Sequence, residues 1–294
     1  MSKLAVIDIG SNSIRYAEES FGALGDKSVF TTRLGSGLNK TGLLRDDTMA
    51  NSLAVISLLA DKARAGGFVP KAYATSAVRD AANGREFAER VINECGVPVD
   101  ILTGEEEARY AFLGAAGENG AFDAMLDIGG ASMQVVTADF GVSFRAGCVR
   151  CGDIARAATG ANDCDTDACA QRAAVEEYMD GEVKLPEMNV GSLVGVGGTI
   201  TTLAALKAGL KGFSREVVDN VVLTKWDIEA LISSLIEMGE RRRLHPLLTE
   251  RHDVILYGAY ILRRALDLIG AESLGVSCAD GMEGYFRLLK DEER

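Results

Sequence analysis

Two stretches decide the fold: AVIDIGSNSIRYA at residues 5–17 and AMLDIGGASMQVV at residues 124–136. Each runs an apolar strand into Asp-Ile-Gly, turns on small residues and resumes as a second strand. Such a strand–turn–strand unit is a hairpin, and it stands at the head of each half of a 294-residue chain. The halves share a topology although few letters outside the corner agree.

After the first corner the pattern predicts a third strand in KSVFTTRLG and a helix over about 46–66, where Leu53, Ile56, Leu59, Ala60 and Ala63 recur at helical spacing. A strand at KAYATS and a short helix follow. The next helix begins near Asn83, whose spacing to Glu86 suits an N-cap and its partner. Strand VPVDILT then leads into a helix over 104–117. From 123 the order restarts, with strands DAMLDIG, MQVVTAD and GVSFRAG followed by helices. A buried strand, SLVGVGG, runs into a helix opening at Thr199. Helical patterns at about 225–239 and 249–269, strand ESLGVSC and a last helix from about Asp280 complete the chain. The organisation predicts two α/β domains with mixed sheets, 1–122 and 123–294, joined by a short hinge near 118–123 and separated by a cleft. The last helix, about 280–294, is placed to pack back on the first domain.

Composition is that of a globular protein, 47% hydrophobic and 25% charged. No apolar run approaches the ~18–20 residues of a membrane span. The first residues enter a strand without a basic-then-apolar leader, so the expected location is cytoplasmic. A net charge of −12 argues against nucleic-acid or anionic-membrane binding. A phosphate-bearing ligand would have to be held locally, by backbone N–H groups, a few arginines or a divalent cation. Cys148, Cys151, Cys164 and Cys169 follow a C-x2-C-x12-C-x4-C pattern compatible with zinc. The same spacing also arises from two cysteines at a strand end and two at a helix start.

Three turns invite an anion. In DIGSNS, Gly10 relaxes the backbone while Ser11, Asn12 and Ser13 offer short donors; in DIGGAS, Gly129, Gly130, Ala131 and Ser132 repeat the arrangement. In GVGGTITTLAAL, Gly197, Gly198 and Thr199 open a helix whose N-terminus favours negative charge. Each turn alone also reads as a dihedral requirement. Three of them, each directly after an apolar strand, match a phosphate clamp. In TGEEEARY, Thr103 and Glu106 form a capping box, and acids suit a first helical turn, which accounts for Glu105 and Glu106 but not for Glu107. His245 and His252 have no partnering motif and read as structural.

These stretches resemble the actin/sugar-kinase/Hsp70 superfamily and, within it, the exopolyphosphatase and guanosine pentaphosphate phosphohydrolase (Ppx/GppA) family. The resemblance continues through RLGSGLNKTGLL (33–44), YATSAVRDAANGREF (73–87), ILTGEEEARYAFLG (101–114), LDIGGASMQVV (126–136), VGVGGTITTLAAL (194–206) and ADGMEGYF (279–286). Longer family members carry a further C-terminal helical region. The resemblance implies two actin-like (ribonuclease H-like) domains with mixed five-stranded sheets flanked by helices and an active site in the interdomain cleft. It also implies hydrolysis of a terminal phosphoanhydride, in polyphosphate or guanosine pentaphosphate (pppGpp), with Mg2+, and a homodimer. Glu107 then matches the general base and Arg79 a phosphate-contacting arginine, the alternative for Arg79 being an ion pair with Asp80 or a nearby acid. Asp8 and Asp127 become the oxygen ligands that Mg2+ prefers, the alternative being that each caps its own turn. Arg15 and Arg109 are further candidates to neutralise charge.

The second corner departs from the family's usual Gly-Gly-Gly-Ser-Thr-Glu. Ala131 adds a methyl group where a phosphate comes close. Gln134 keeps the shape and an acceptor oxygen of glutamate but loses its charge. A catalytically weak or inactive binder of the same ligands is therefore an alternative to the hydrolase, as is an ATP-using kinase or ATPase of the wider superfamily.

Overall fold

Strand β1 (Leu4–Ile9) is buried along its whole length, so both of its faces meet a core. Ala5, Ile7 and Ile9 join one cluster, while Leu4 and Val6 join another, as the two-residue alternation of a strand requires. The computed structural model describes residues 3–119, 122–161 and 166–292. The chain divides into two compact units, one running to Gly114 and resuming at Gly281, the other spanning Ala115–Asp280.

In the first unit β1 is followed by β2 (Ser13–Ser20), β3 (Ala23–Leu24) and β4 (Ser28–Thr31). A one-turn helix α1 (Leu38–Thr41), the long α2 (Asp46–Ala65), β5 (Val69–Ala74), α3 (Ser76–Asp80), α4 (Gly84–Arg90), β6 (Val99–Ile101) and α5 (Gly104–Asn119), which belongs to this unit as far as Gly114, follow. Helix α2 turns Leu53, Ile56, Leu59, Ala60 and Ala63 inward, the stripe predicted from spacing, and buries Met49 with them. The final helix, Gly281–Glu292, covers the opposite face of the sheet: its Met282, Tyr285 and Phe286 cluster with Leu4, Val6 and Tyr73. Its Tyr285 hydroxyl donates to Asp100 Oδ2 (2.6 Å), and Lys27 pairs with Glu283 at 2.8 Å.

The second unit repeats the plan with β7 (Ala124–Ile128), β8 (Met133–Thr137), β9 (Gly141–Phe144), α6 (Cys148–Thr159), α7 (Ala168–Glu182), β10 (Leu193–Val196) and α8 (Gly197–Lys207). Then come α9 (Arg215–Val218), β11 (Val222–Thr224), α10 (Lys225–Met238), α11 (Ile255–Ile269) and β12 (Ser273–Val276). Helix α11 is buried on nearly every side, from Ile255 through Leu262, and forms the centre of this unit's core. Both sheets are mixed, with the hairpin strands antiparallel and the inner strands parallel.

The sheets share a five-strand path, β4-β2-β1-β5-β6 in one and β9-β8-β7-β10-β12 in the other. Each carries a sixth strand beyond the expected five. In the first, the eight-residue β2 pairs with β4 along one stretch and leaves Glu19 and Ser20 to pair with β3. In the second, β11 adds an antiparallel edge to β12. Two further details differ from expectation. Asn83 does not cap α4; its Oδ1 accepts from Leu44 N (2.8 Å) and its Nδ2 donates to Leu44 O (3.0 Å), tying a preceding loop instead. Residues 249–254 are not yet regular helix but a run of i→i−3 turns, with Arg251 N on Leu248 O and Val254 N on Arg251 O.

Label the last helix α12. A Cβ on its Gly284 would lie 1.9 Å from the Tyr110 carbonyl oxygen of α5, so backbone meets backbone there. Gly284→Ala should therefore lower stability by about 1–3 kcal/mol, seen as a lower Tm and faster proteolysis of the C-terminal helix. An unchanged Tm would show that α12 is not seated at that contact.

Candidate active site

Strands β1, β5 and β6 run parallel, and their C-terminal ends lie side by side: Thr75 N donates to Ile9 O and Leu102 N to Ala74 O. Ligands of open α/β sheets sit beyond such ends. The first corner follows β1, the helix carrying Arg79 follows β5, and the helix carrying Glu107 follows β6. Adjacent strands thus assemble residues that are almost a hundred positions apart in the chain.

Gly10 N closes the corner on Ser13 O at 3.1 Å. The corner's carbonyls are used: Ser11 O accepts from Gly35 N, and Asn12 O from Thr32 N and Arg33 N. Arg33 adopts a left-handed backbone (φ 54°), unusual for a side chain of that size, while making this contact. Among the described residues no backbone acceptor takes the Ser11 or Asn12 N–H, a state suited to an anion. The Ser11 hydroxyl reaches Ser76 Oγ at 3.1 Å, linking the corner to α3. Asp8, on the same sheet face as Leu4 and Val6, is gripped by Arg15 directly across the hairpin, through Nε (2.7 Å) and Nη2.

Arg79 Nη1 donates to Glu107 Oε2 at 2.9 Å and to Leu102 O at 2.9 Å, with Asp80 further off at 3.7 Å. The two sequence candidates of this unit therefore meet, and the ion pair expected of Arg79 is mainly with Glu107. The capping box forms as predicted, with Thr103 N on Glu106 Oε2 and Glu106 N on Thr103 Oγ1. Glu106 is thereby used and Glu107 is left for Arg79. Arg109 lies exposed on α5.

The second unit places its corner, α8 and the segment after β12 beyond the parallel ends of β7, β10 and β12. Asp127 stands opposite Gln134, and Gln134 opposite Ser143, on the sheet face turned away from the main core. Gln134 is buried; its Nε2 donates to Ser132 Oγ (2.9 Å) and Ser143 Oγ (3.0 Å), while its Oε1 has no donor among the described residues. Gly129 and Gly130 spend their carbonyls on the first turn of α6, accepting from Cys148, Val149 and Arg150. Buried Arg150 also donates from Nε to Ala131 O (2.9 Å). Gly197 is forced twice over: φ is 85°, and a Cβ would sit 2.1 Å from Asp127 Oδ1. At Gly198 a Cβ would lie 2.5 Å from the guanidinium of Arg251, a residue absent from the sequence-based candidates. No motif around it signalled a site; only the irregular turns of 249–254 deliver it there. Thr199, expected at a phosphate, packs its methyl on Gly258 and its hydroxyl on Cys148.

Among the described residues no three His, Cys, Asp or Glu side chains group as metal ligands. Cys148 and Cys151 are buried in the core and Cys169 is exposed, while Cys164 lies outside the described residues. His245 Nδ1 accepts from Leu247 N and His252 Nδ1 contacts Thr249 O, both local. No described helix is long and apolar enough to cross a membrane.

Residues 21–286 match the model of the Ppx/GppA phosphatase family. The chain is 28% identical to exopolyphosphatase 2 of Mycobacterium tuberculosis over 97% of each sequence. It is 30% identical to the Aquifex aeolicus Ppx/GppA phosphatase of known structure, with a TM-score of 0.71 over 97% of this chain and 98% of that one. A 20% identical exopolyphosphatase from Cytophaga hutchinsonii superposes with a TM-score of 0.86 over 99% and 98%, which speaks for the fold. These likenesses identify the two mixed sheets as those of an actin-like two-domain protein.

Burial pushes the Cys148 and Cys151 thiols up, Cys148 against the partial counteraction of Arg251 and the Thr199 hydroxyl. Raised thiols hold less reactive thiolate at a given pH. In native protein at pH 8, iodoacetamide should label Cys169 and spare Cys148 and Cys151 until denaturant is added, as mapped by peptide mass spectrometry. Rapid native labelling of either would contradict the buried placement.

Proposed function

The chain belongs to the Ppx/GppA phosphatase family, and from that premise we propose that it hydrolyses the terminal phosphoanhydride of inorganic polyphosphate or of guanosine pentaphosphate. The likeness to exopolyphosphatases supports a polyphosphate phosphatase. The observation that carries the finer reading is the Arg79–Glu107 pair beyond the ends of adjacent parallel strands, next to a corner whose Ser11 and Asn12 N–H groups meet no backbone acceptor among the described residues.

In this reading Glu107 is the general base: it takes a proton from water as the water oxygen bonds to the terminal phosphorus. The phosphorus–oxygen anhydride bond breaks and its electron pair leaves with the shortened chain. Arg79, fixed by Leu102 O, orients the Glu107 carboxylate and offers its remaining donors to phosphate oxygens. The corner Gly10–Ser13 binds phosphate through the Ser11 and Asn12 N–H groups, and Arg15 holds Asp8 in place. Within the second unit the candidate phosphate contacts are Gly129, Gly130, Ala131 and Ser132, with Gly197, Gly198 and Thr199 at the start of α8. Arg251 supplies positive charge there.

The donor set fits a Mg2+ ion in the second unit: Asp127 offers a carboxylate, and Gln134 Oε1 is a buried amide oxygen that takes no hydrogen bond among the described residues. Mg2+ would neutralise phosphate charge. In the first unit Asp8 is a second carboxylate of this kind, gripped by Arg15.

A second reading is favoured by Gln134 itself. A glutamate there would face Asp127 directly across the strands, an arrangement that repels unless a cation sits between them. Glutamine relieves that repulsion without a cation. The chain would then bind phosphoanhydrides and turn them over slowly or not at all.

Phosphate release from polyphosphate, pppGpp and ATP with Mg2+ separates these readings. Wild type should act on the first or second substrate, and Glu107→Ala should lose about 10²–10⁴-fold in kcat. Gln134→Glu should raise activity if the second reading holds. Release from ATP in preference to the other two would instead point to a kinase-like or ATPase protein.

A further inference from the structure

A cavity of about 390 Å³ opens in the first unit beside α3, the first turn of α4 and the connection from β6 to α5. That volume lies in the range of ordinary ligand sites. Its walls are apolar at Val78, Ala81 and Leu102, and its polar groups are Arg79, Arg85 and Thr103. Among the described residues no carboxylate lines it. Arg79 is the residue that holds Glu107, so the cavity adjoins the proposed base.

The two arginines differ. The charge of Arg79 is matched by Glu107 at 2.9 Å and Asp80 at 3.7 Å. Arg85 is exposed, and among the described residues its side chain has neither an ion pair nor a hydrogen bond. It also sits in the first turn of α4, where the helix dipole disfavours a cation. Neither helix stability nor a salt bridge explains its place. In a chain of net charge −12, an uncompensated guanidinium on the rim of a concave, partly apolar cavity is the reverse of the background. Such a group attracts an anion, and its fork of donors matches phosphate oxygens.

We propose that this cavity is a subsite for the phosphate units of the substrate other than the one being hydrolysed, with Arg85 as its specificity-determining contact. The inference rests on the hydrolase reading for its substrate class. Arg79 would stand at the junction, oriented by Glu107 on one side and facing the incoming phosphate chain on the other. The ligand chemistry is a phosphate polyanion, whether the inorganic chain or the phosphates of pppGpp.

The test compares wild type with Arg85→Ala and Arg85→Lys in the full chain. Steady-state phosphate release is measured with long-chain polyphosphate, tripolyphosphate and pppGpp. Equilibrium dialysis with long-chain polyphosphate and with pppGpp runs in parallel and needs no turnover. Arg85→Ala should raise KM and weaken binding about tenfold, the share of one charge-assisted phosphate contact. The kcat should stay within about twofold, and lysine should recover part of the loss. An effect confined to polyphosphate assigns the cavity to the inorganic chain, and an equal effect on pppGpp assigns it to phosphates that both ligands carry. Unchanged KM and binding for every ligand overturn the subsite. If wild type binds polyphosphate or pppGpp but releases phosphate from neither, the hydrolase reading fails while dialysis still decides the role of Arg85. A wild type that neither binds nor cleaves any of them overturns both.

Discussion

A hydrogen bond from Gly10 N to Ser13 O sets the register of the first hairpin, and much of the first unit follows from it. With that register Asp8 faces Arg15, while Ile7, Ile9, Ile14 and Tyr16 turn together into one core. A slip of one residue would exchange the two faces, burying a charged pair among the residues that α2 covers. The same bond turns the corner so that its carbonyls bind the segment 32–35 and leave N–H groups uncommitted. Gly35 can serve there because a side chain would crowd Ser11 at 3.1 Å.

The second hairpin keeps the register, with Gly129 N on Ser132 O, and changes the chemistry. The position seven residues past the aspartate is Arg15 in one unit and Gln134 in the other. The first makes a charge pair across the strands. The second stands in the row Asp127–Gln134–Ser143, where a buried amide rather than a charge faces the aspartate, takes two hydroxyl partners and leaves an oxygen over. One backbone plan thus leaves two N–H groups without a backbone acceptor in the first unit and an amide oxygen without a donor in the second, among the described residues. The carbonyls of Gly129 and Gly130 also begin α6, so the second corner is braced by the core through Cys148 and Cys151.

In both units the proposed chemistry lies past the C-terminal ends of parallel strands, because a crossover helix must start there and carries its first residues to that edge. Arg79 and Glu107 obey this in the first unit; Gly197 and Gly198 obey it in the second. Arg251 does not. It comes from the turns before the central helix α11, and only the absence of a side chain at Gly198 lets its guanidinium approach.

Strand and helix order, the two corners, the capping box of Thr103 and Glu106, and the inward stripe of α2 were legible in the sequence, because each rests on local periodicity or on a spacing of three or four residues. The resemblance of the motifs pointed to the family. The meeting of Arg79 with Glu107 was not legible, since it depends on which strands become neighbours. Nor were the sixth strand of each sheet, the Asn83 clamp on Leu44, the place of Arg251 or the solitary charge of Arg85 beside a cavity. The sequence by itself determined which segments are strands, helices and turns, for these follow from side-chain pattern and backbone preference. Only the tertiary structure decided which side chains share a site, because parallel pairing and core packing join residues whose separation in the chain carries no signal of contact.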